Sequence, residues 1–398
     1  MPELSLVGPR YKYPISDAEL NRRLAAVQQA MKEEDIDCCI AQSYSGIFNS
    51  SIRYMIDILP HDYTTTLLIP VEGKMILLNH GPDNDDAPIP PTIRNVEKMI
   101  TKPYCQPFGC TDYLAAETIL KEVKARGFKK IGFIFKQLMS YDFGEYLTAS
   151  LPDVEFVDFS RQFSEIKAVK SEEELELADR CVRAHEQLTD MIPSLIRPGR
   201  MEYEIIADLV HRSKYIGCDV VGNIAVGSAP SGHPAPFFQH YNANRRIEPG
   251  DTVTVMVEVA GPGGFYGELA RTYCLGKPNQ SLLDLFEIAK EAQHVVADAM
   301  KPGITGKELD KVFNDFVVPH GIPKNARFVG HGQGYDMMEA PTISPVEDIE
   351  IKENMFFAIH PELIKGGDFV ICCDNFVVKK NGAVRVTRTE QEIVQIEY

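Results

Sequence analysis

A handful of residues in the second half of the chain carry side chains that bind metal, grip a substrate or move protons. His331 lies in Gly330-His-Gly-Gln-Gly334, where the flanking glycines let the backbone come close to a ligand. No Lys-Ser/Thr follows, so the segment is not a phosphate loop. The rival reading of His331 is a turn residue with both ring nitrogens satisfied. His360 ends the apolar run Met355-Phe-Phe-Ala-Ile-His-Pro361, and an ionisable group at the end of a buried strand is costly without a partner; a core histidine bonded to a carbonyl is the alternative. Glu268 stands in Gly267-Glu-Leu-Ala-Arg271, with Arg271 available to pair with it or with another carboxylate. His233, in Ser231-Gly-His-Pro-Ala-Pro236, is a loop histidine stiffened by prolines. It is a candidate proton carrier, although surface histidines are common.

The whole chain narrows the chemistry. Its 398 residues suit two domains, and 44% hydrophobic with 25% charged residues is the composition of a globular protein. A net charge of -16 argues against nucleic acid, which needs a basic face, and against anionic membranes. The first residues lack a basic stretch followed by an apolar run, and no apolar window reaches the ~20 residues that span a bilayer. The cysteine spacing makes no disulfide framework, so the thiols are expected reduced in a cytoplasmic protein.

The elements that must position these residues fall into two groups. In the first, Ser16-Asp-Ala-Glu19 opens a helix carrying Leu20, Leu24, Val27 and Met31 at helical spacing. Strands follow at Asp37 to Gln42, at Thr64 to Pro70 and at Lys74 to Leu78, the last two turned at Glu72-Gly73. A helix over Thr118 to Arg126 and a strand from Lys130 complete an alternation that implies an α/β layer with a mostly parallel sheet. Near residue 160 the pattern changes to one long charged helix, Ser164 to Asp190, and the domain boundary is expected at its start, giving domains 1–163 and 164–398. Beyond it lie a helix from Glu202 to Ile216, a strand at Asn223 to Val226, and strands at Thr252 to Val259 and Phe265 to Cys274 joined through Gly261-Pro-Gly-Gly264. Helices over Gln280 to Met300 and Thr305 to Val318 precede the final strands. This half reads as α+β.

Taken together, the order of these motifs resembles the creatinase/prolidase/methionine-aminopeptidase family. The likeness rests on Gly250-Asp251 before the hairpin, Arg271-Thr272, Gly330-His-Gly332, Glu339-Ala-Pro341 and Gly382. In the first domain it rests on Arg22-Arg-Leu24, the strand at Cys38 to Gln42, and Ile52-Arg-Tyr54, as in the creatinase/aminopeptidase P branch. The resemblance covers nearly the whole chain. It implies an α/β N-terminal domain ahead of a pita-bread catalytic domain built from a pseudo-twofold pair of α/β halves.

Metallopeptidase members hold two metal ions with Asp, Asp, His, Glu and Glu. Carried over by position, the first Asp falls at Val257, with Glu258 beside it facing the other way in the strand. The second falls at Glu268, the His at His331, the first Glu at His360 and the last at Cys373, next to Asp374. A substrate-binding His falls at Met338, and the loop His near His233. Substrate contacts are expected from Arg271, Glu362 and Met338, and, in a homodimer, from Arg53 or Tyr54 of the other subunit. A bridged pair of ions needs shared carboxylates, so a two-metal Xaa-Pro peptidase is not the expectation.

Two readings stay open: a metal-free, creatinase-like site, which is favoured, or one Zn²⁺ or Fe²⁺ held by Glu268, His331, His360 and Cys373. The expected function is hydrolysis of a small polar C–N metabolite, of amidino, cyclic amidine or amide type. In it His233 carries the proton, Glu268 grips or attacks the substrate, and His331 and His360 polarise it. The alternatives are a single-metal hydrolase or lyase, an Xaa-Pro dipeptidase-like enzyme, and an inactive binding module.

Overall fold

The first helix begins where its cap predicts. The computed structural model describes residues 13–43, 47–59, 63–103, 112–237 and 244–398, and in it α1 (Asp17–Glu33) is capped by the Ser16 side chain accepting from Glu19 N. Leu20, Leu24, Val27 and Met31 form its buried stripe. The chain divides into two compact units, Pro14–Lys167 and one containing Ala168–Tyr398, whereas the charge pattern puts the boundary at Ser164.

The first unit continues with β1 (Cys38–Ser43), α2 (Ser51–Ile56), β2 (Thr65–Pro70), β3 (Met75–His80), β4 (Asn84–Ala87) and β5 (Val96–Lys102). Next come α3 (Asp112–Arg126), β6 (Lys130–Ile134), α4 (Tyr141–Ser150), β7 (Glu155–Asp158) and α5 (Ser160–Ala168). Its seven strands lie in the order β4-β5-β3-β2-β1-β6-β7. The sheet is mixed, not mostly parallel: β1 with β6, β6 with β7 and β3 with β5 are parallel, while β1–β2, β2–β3 and β4–β5 are antiparallel. The short Glu72-Gly73 turn decides this, because a tight turn joins only antiparallel strands.

The long helix expected from Ser164 to Asp190 is broken. Val169 bridges to Met355, and the buried Lys170 ammonium lies 2.6 Å from Glu339. The chain restarts as α6 (Glu172–Thr189), where Ser171 and Glu174 form a reciprocal capping box. A buried lysine needs a carboxylate partner, and leaving the helix lets Lys170 reach one.

The second unit adds α7 (Ile192–Leu195), α8 (Glu202–Tyr215), β8 (Val220–Pro230), β9 (Asp251–Ala260), β10 (Leu269–Leu275), α9 (Gln280–Ala299) and α10 (Gly306–Val317). It ends with β11 (Gly330–Gly332), β12 (Glu339–Ile343), β13 (Phe356–Ile359), β14 (Glu362–Lys365), β15 (Asp368–Ile371), β16 (Asp374–Lys379), β17 (Gly382–Arg385) and β18 (Val394–Ile396). One sheet has the order β18-β10-β9-β8, a second β12-β11-β13-β16-β17, and β14 pairs with β15.

Each sheet is backed by its own helices. Val253, Val255, Val257 and Val259 of β9 pack with Leu188, Ile205 and Leu209 from α6 and α8. Phe286, Ala289 and Phe313 from α9 and α10 pack with Phe357 and Phe376. The opposite faces meet in a small layer of Ala225, Met256 and Ala270 against Ala358, Ile371 and Cys373. Small residues there bring the two sheets close, and the candidate site opens at the edge of that layer.

Ser171→Ala should lower the stability of this unit by about 1 kcal/mol through loss of the cap. Urea unfolding followed by far-UV circular dichroism measures it, and an unchanged midpoint would show that the cap contributes nothing.

Candidate active site

Alternation along β9 puts Glu258 at the centre of the site. The run Thr252-Val-Thr-Val-Met-Val-Glu-Val259 sends its valines to the helices and Thr254, Met256 and Glu258 to the other face. The expectation that Glu258 turns away is therefore reversed: Val257 is core, and the buried Glu258 side chain is hydrogen-bonded to Glu268 and to Asn223. Val257, where the resemblance puts the family's first aspartate, thus lies in the core, and the valine alternation carries the facing of Glu258.

Glu268 stands one residue before β10. Its backbone N–H donates to Asn375 Oδ1 (3.1 Å), and the Asn375 amide donates to Gln333 Oε1 (2.7 Å) and to Phe357 O (3.3 Å). Asn375 was missed because no motif marks it.

His331 on β11 places Nε2 3.3 Å from Glu268 Oε2, and its Nδ1 lies 3.0 Å from Gly332 O. A carbonyl only accepts, so Nδ1 carries a proton, while Nε2 points at the carboxylate. His360 follows β13, anchored by its backbone N–H to Val329 O (2.8 Å). Its ring centroid is 5.3 Å from that of His331, and its buried Nδ1 has no hydrogen-bond partner among the described residues.

The electrostatics follow from burial. Desolvation raises the Glu268 carboxyl, but His360, His331 and the Cys373 thiol outweigh it and hold the group ionised. Glu258 is pushed far above the carboxylate range by burial and by the Glu268 charge, so it keeps its proton. Burial lowers His360 to about 4. Burial, with the Glu268 charge, raises Glu362 to about 7.

The remaining expected residues divide clearly. Among the described residues, only Glu268, His331 and His360 offer ligand atoms that all lie within 4.8 Å of one another. Cys373 does not join them: its Sγ donates to Glu268 O (3.6 Å), and burial raises the thiol far above its ordinary value, which opposes the thiolate a metal requires.

Arg271 is on the helix-facing side of β10, with Tyr273. Its guanidinium reaches Asp374 (2.7 Å) and the carbonyls of Ala270 and Cys373 (2.8 Å each), so it is occupied in structure instead of facing substrate. His233 is exposed in the turn after β8, its backbone N–H donating to Pro230 O, and its ring is outside the cluster. Met338 is half-buried just before β12.

In the first unit Tyr54 is core, edge-on to Phe163 at 5.5 Å beneath the Arg23 guanidinium. Arg53 is buried and its charge acts on Asp57.

The donor set fits one divalent ion. His331 Nε2 and Glu268 Oε2 converge at 3.3 Å, and the buried His360 Nδ1 beside them has no hydrogen-bond partner among the described residues. Two imidazoles and one carboxylate are the ligands of mononuclear zinc hydrolases and of non-haem iron sites.

Behind the cluster, His185 of α6 donates from Nδ1 to Cys181 O (2.8 Å) and accepts at Nε2 from Val259 N–H (3.2 Å), steadying the strand end that carries Glu258. Burial lowers its pKa from 6.5 to about 4. The unfolded chain therefore binds more protons between those values, and stability falls as pH drops through that window. His185→Gln should flatten this acid limb by up to about 1.4 kcal/mol per pH unit. Unfolding free energies measured between pH 7 and 4 test it, and an equally steep limb in the variant would refute it.

Comparison with known proteins agrees with this architecture. Residues 176–391 match metallopeptidase family M24, and residues 23–169 match the creatinase/prolidase N-terminal domain. The Xaa-Pro dipeptidase of Pyrococcus furiosus is 27% identical over 294 residues, 70% of this chain and 82% of that protein. The probable dipeptidase PepE of Mycobacterium tuberculosis is 26% identical over 233 residues, 58% of this chain and 61% of that protein. Among solved structures, dipeptidase PepE from Mycobacterium ulcerans superposes with a TM-score of 0.78 at 21% identity, covering 97% of this chain and 100% of that one. An Xaa-Pro dipeptidase from Bacillus anthracis does so with 0.76 at 22%, covering 95% and 100%. At these identities the structures speak for the fold. With its pita-bread domain, its two-histidine, one-carboxylate cluster and a family match over more than half its length, the chain belongs to metallopeptidase family M24.

Proposed function

We propose that the chain hydrolyses the peptide bond of Xaa-Pro dipeptides, using one divalent metal ion held by Glu268, His331 and His360. The observation that carries this reading is the convergence of those three side chains with a protonated Glu258 hydrogen-bonded to the carboxylate among them. The Xaa-Pro dipeptidase relatives support the substrate class, and family membership supports a metal. The expected amidine-type substrate has no support from the relatives, and the metal-free site gives way to the single-ion alternative.

A bound ion would supply a Lewis acid and an acidified water. The chain's own groups do the rest. Glu258 holds a proton on its carboxyl oxygen next to Glu268 and delivers it to the leaving nitrogen. Asn375 fixes the backbone of Glu268. Phe328 stands edge-on to both imidazoles, at 5.8 Å from His331 and 5.5 Å from His360, and keeps water from that side.

A homodimer is part of the proposal on the family resemblance. So is a cytoplasmic location, which the free, buried cysteines of the described residues support. Among the described residues no helix is long and apolar enough to cross a membrane.

Purified protein reconstituted with Zn²⁺ or Fe²⁺ should bind about one ion per chain, hydrolyse Ala-Pro or Gly-Pro, and lose activity to a chelator. Glu258→Gln should keep the ion and lose turnover by about 10²–10⁴-fold, the usual weight of general acid–base catalysis, whereas His360→Ala should lose the ion itself. Two tightly held ions per chain, or full turnover in Glu258→Gln, would overturn the assignment.

A further inference from the structure

On the helix side of β10, the face turned away from the Glu268 cluster, the second unit has a cleft of about 460 Å³, within the size range of small-molecule sites. Its walls come from the end of α6, from β10 and from the segment leading into β18. Two buried hydroxyls line it without a hydrogen-bond partner among the described residues: Tyr273, 1% exposed, and Thr189, 5% exposed. A shielded hydroxyl without a partner is costly, and two of them in one cleft mark a place for a polar ligand. Asp190 follows Thr189 directly, and its charge acts on the Tyr273 hydroxyl, so the three side chains share one end of the cleft. That end is also the C-terminus of α6, whose last turn carries no basic residue to balance its carbonyls. Arg271 lines the cleft too, but its guanidinium is committed to Asp374 and to the carbonyls of Thr389 and Glu390. Glu186 is likewise paired, with Arg183. At the rim the exposed Glu390 and Glu392 outweigh the single cation of Arg388, and Pro193 and Val394 add apolar wall.

We propose that this cleft binds a small aliphatic diammonium compound, one ammonium set among Asp190, Thr189 and Tyr273 and the other against Glu390 and Glu392. An ammonium has N–H donors and no acceptor, which matches a carboxylate beside two hydroxyl oxygens. Its charge suits both the acids and the negative end of α6, and charged donors make the stronger hydrogen bonds. A hard metal ion suits the place less, because it takes about six or more oxygens, mostly carboxylates and carbonyls. The alkyl chain between the two ammonium groups would lie along Pro193 and Val394. The site is independent of the reaction assigned to the other face of the sheet.

The test titrates putrescine into the full-length wild type, Tyr273→Phe and Asp190→Asn by isothermal calorimetry at low ionic strength. Putrescine should bind the wild type at a single site per chain and lose affinity as salt is added. Each variant should weaken binding by about 10-fold or more, in keeping with loss of a charge-assisted hydrogen bond. Tetramethylammonium, which has no N–H, should not displace it. Tyr273→Phe removes only an unpartnered hydroxyl, so without ligand its thermal unfolding midpoint should equal or exceed that of the wild type. A lower midpoint would show the hydroxyl already satisfied in the free protein and would overturn its role. Equal affinity for putrescine in the wild type and Asp190→Asn would put the ligand elsewhere and overturn the site. Absence of binding at about 10 mM putrescine, or displacement by tetramethylammonium, would overturn it as well.

Discussion

Two carboxyl groups and two imidazoles share an interior from which water is largely excluded, and such a place cannot hold two like charges at hydrogen-bond distance. One carboxyl must keep its proton. The surroundings choose Glu258, because His360, His331 and the Cys373 thiol all favour the ionised form of Glu268 while Glu258 receives mainly burial and its neighbour's charge. That asymmetry gives the pair one ionised carboxylate, 3.3 Å from His331 Nε2, and one carboxyl that keeps its proton.

The framework around this pair is stiff for a reason that lies on the other face of the sheet. Arg271, 1% exposed, spans from β10 to Asp374 and to the carbonyls of Ala270, Cys373, Thr389 and Glu390. A charge this buried is tolerable only when its donors are satisfied, and satisfying them clamps β10 to the strand segment that presents Cys373 and Asn375. Asn375 then bonds Glu268 N, and His185 bonds Val259 N from α6. Both acids are thus set by backbone contacts on either side of the layer, and the site does not depend on side-chain packing alone.

Against the five-ligand pattern of the metallopeptidases, the changes in this chain are mutually consistent. On the correspondence that the family resemblance implies, His360 and Cys373 stand in the places of two carboxylates and would take away negative charge that a second ion needs, and burial raises the thiol at 373 far above its ordinary value. Glu362, next but one to His360, adds a carboxyl of raised pKa.

The amino-acid pattern alone determined the two-part α/β and α+β organisation, the helix announced by Ser16, and the candidacy of Glu268, His331 and His360. These signals are local: caps, periodicity and glycine-framed motifs act over a few residues. The valine alternation of β9 also carried the facing of Glu258. Only the tertiary structure decided that Arg271 serves structure, that Cys373 stays out of the cluster, and that the helix after Ser164 breaks to bury Lys170 against Glu339. Each of these depends on which groups from distant strands meet and which face a strand turns inward. Pairing and burial across about a hundred residues of chain set both, and no local pattern encodes them.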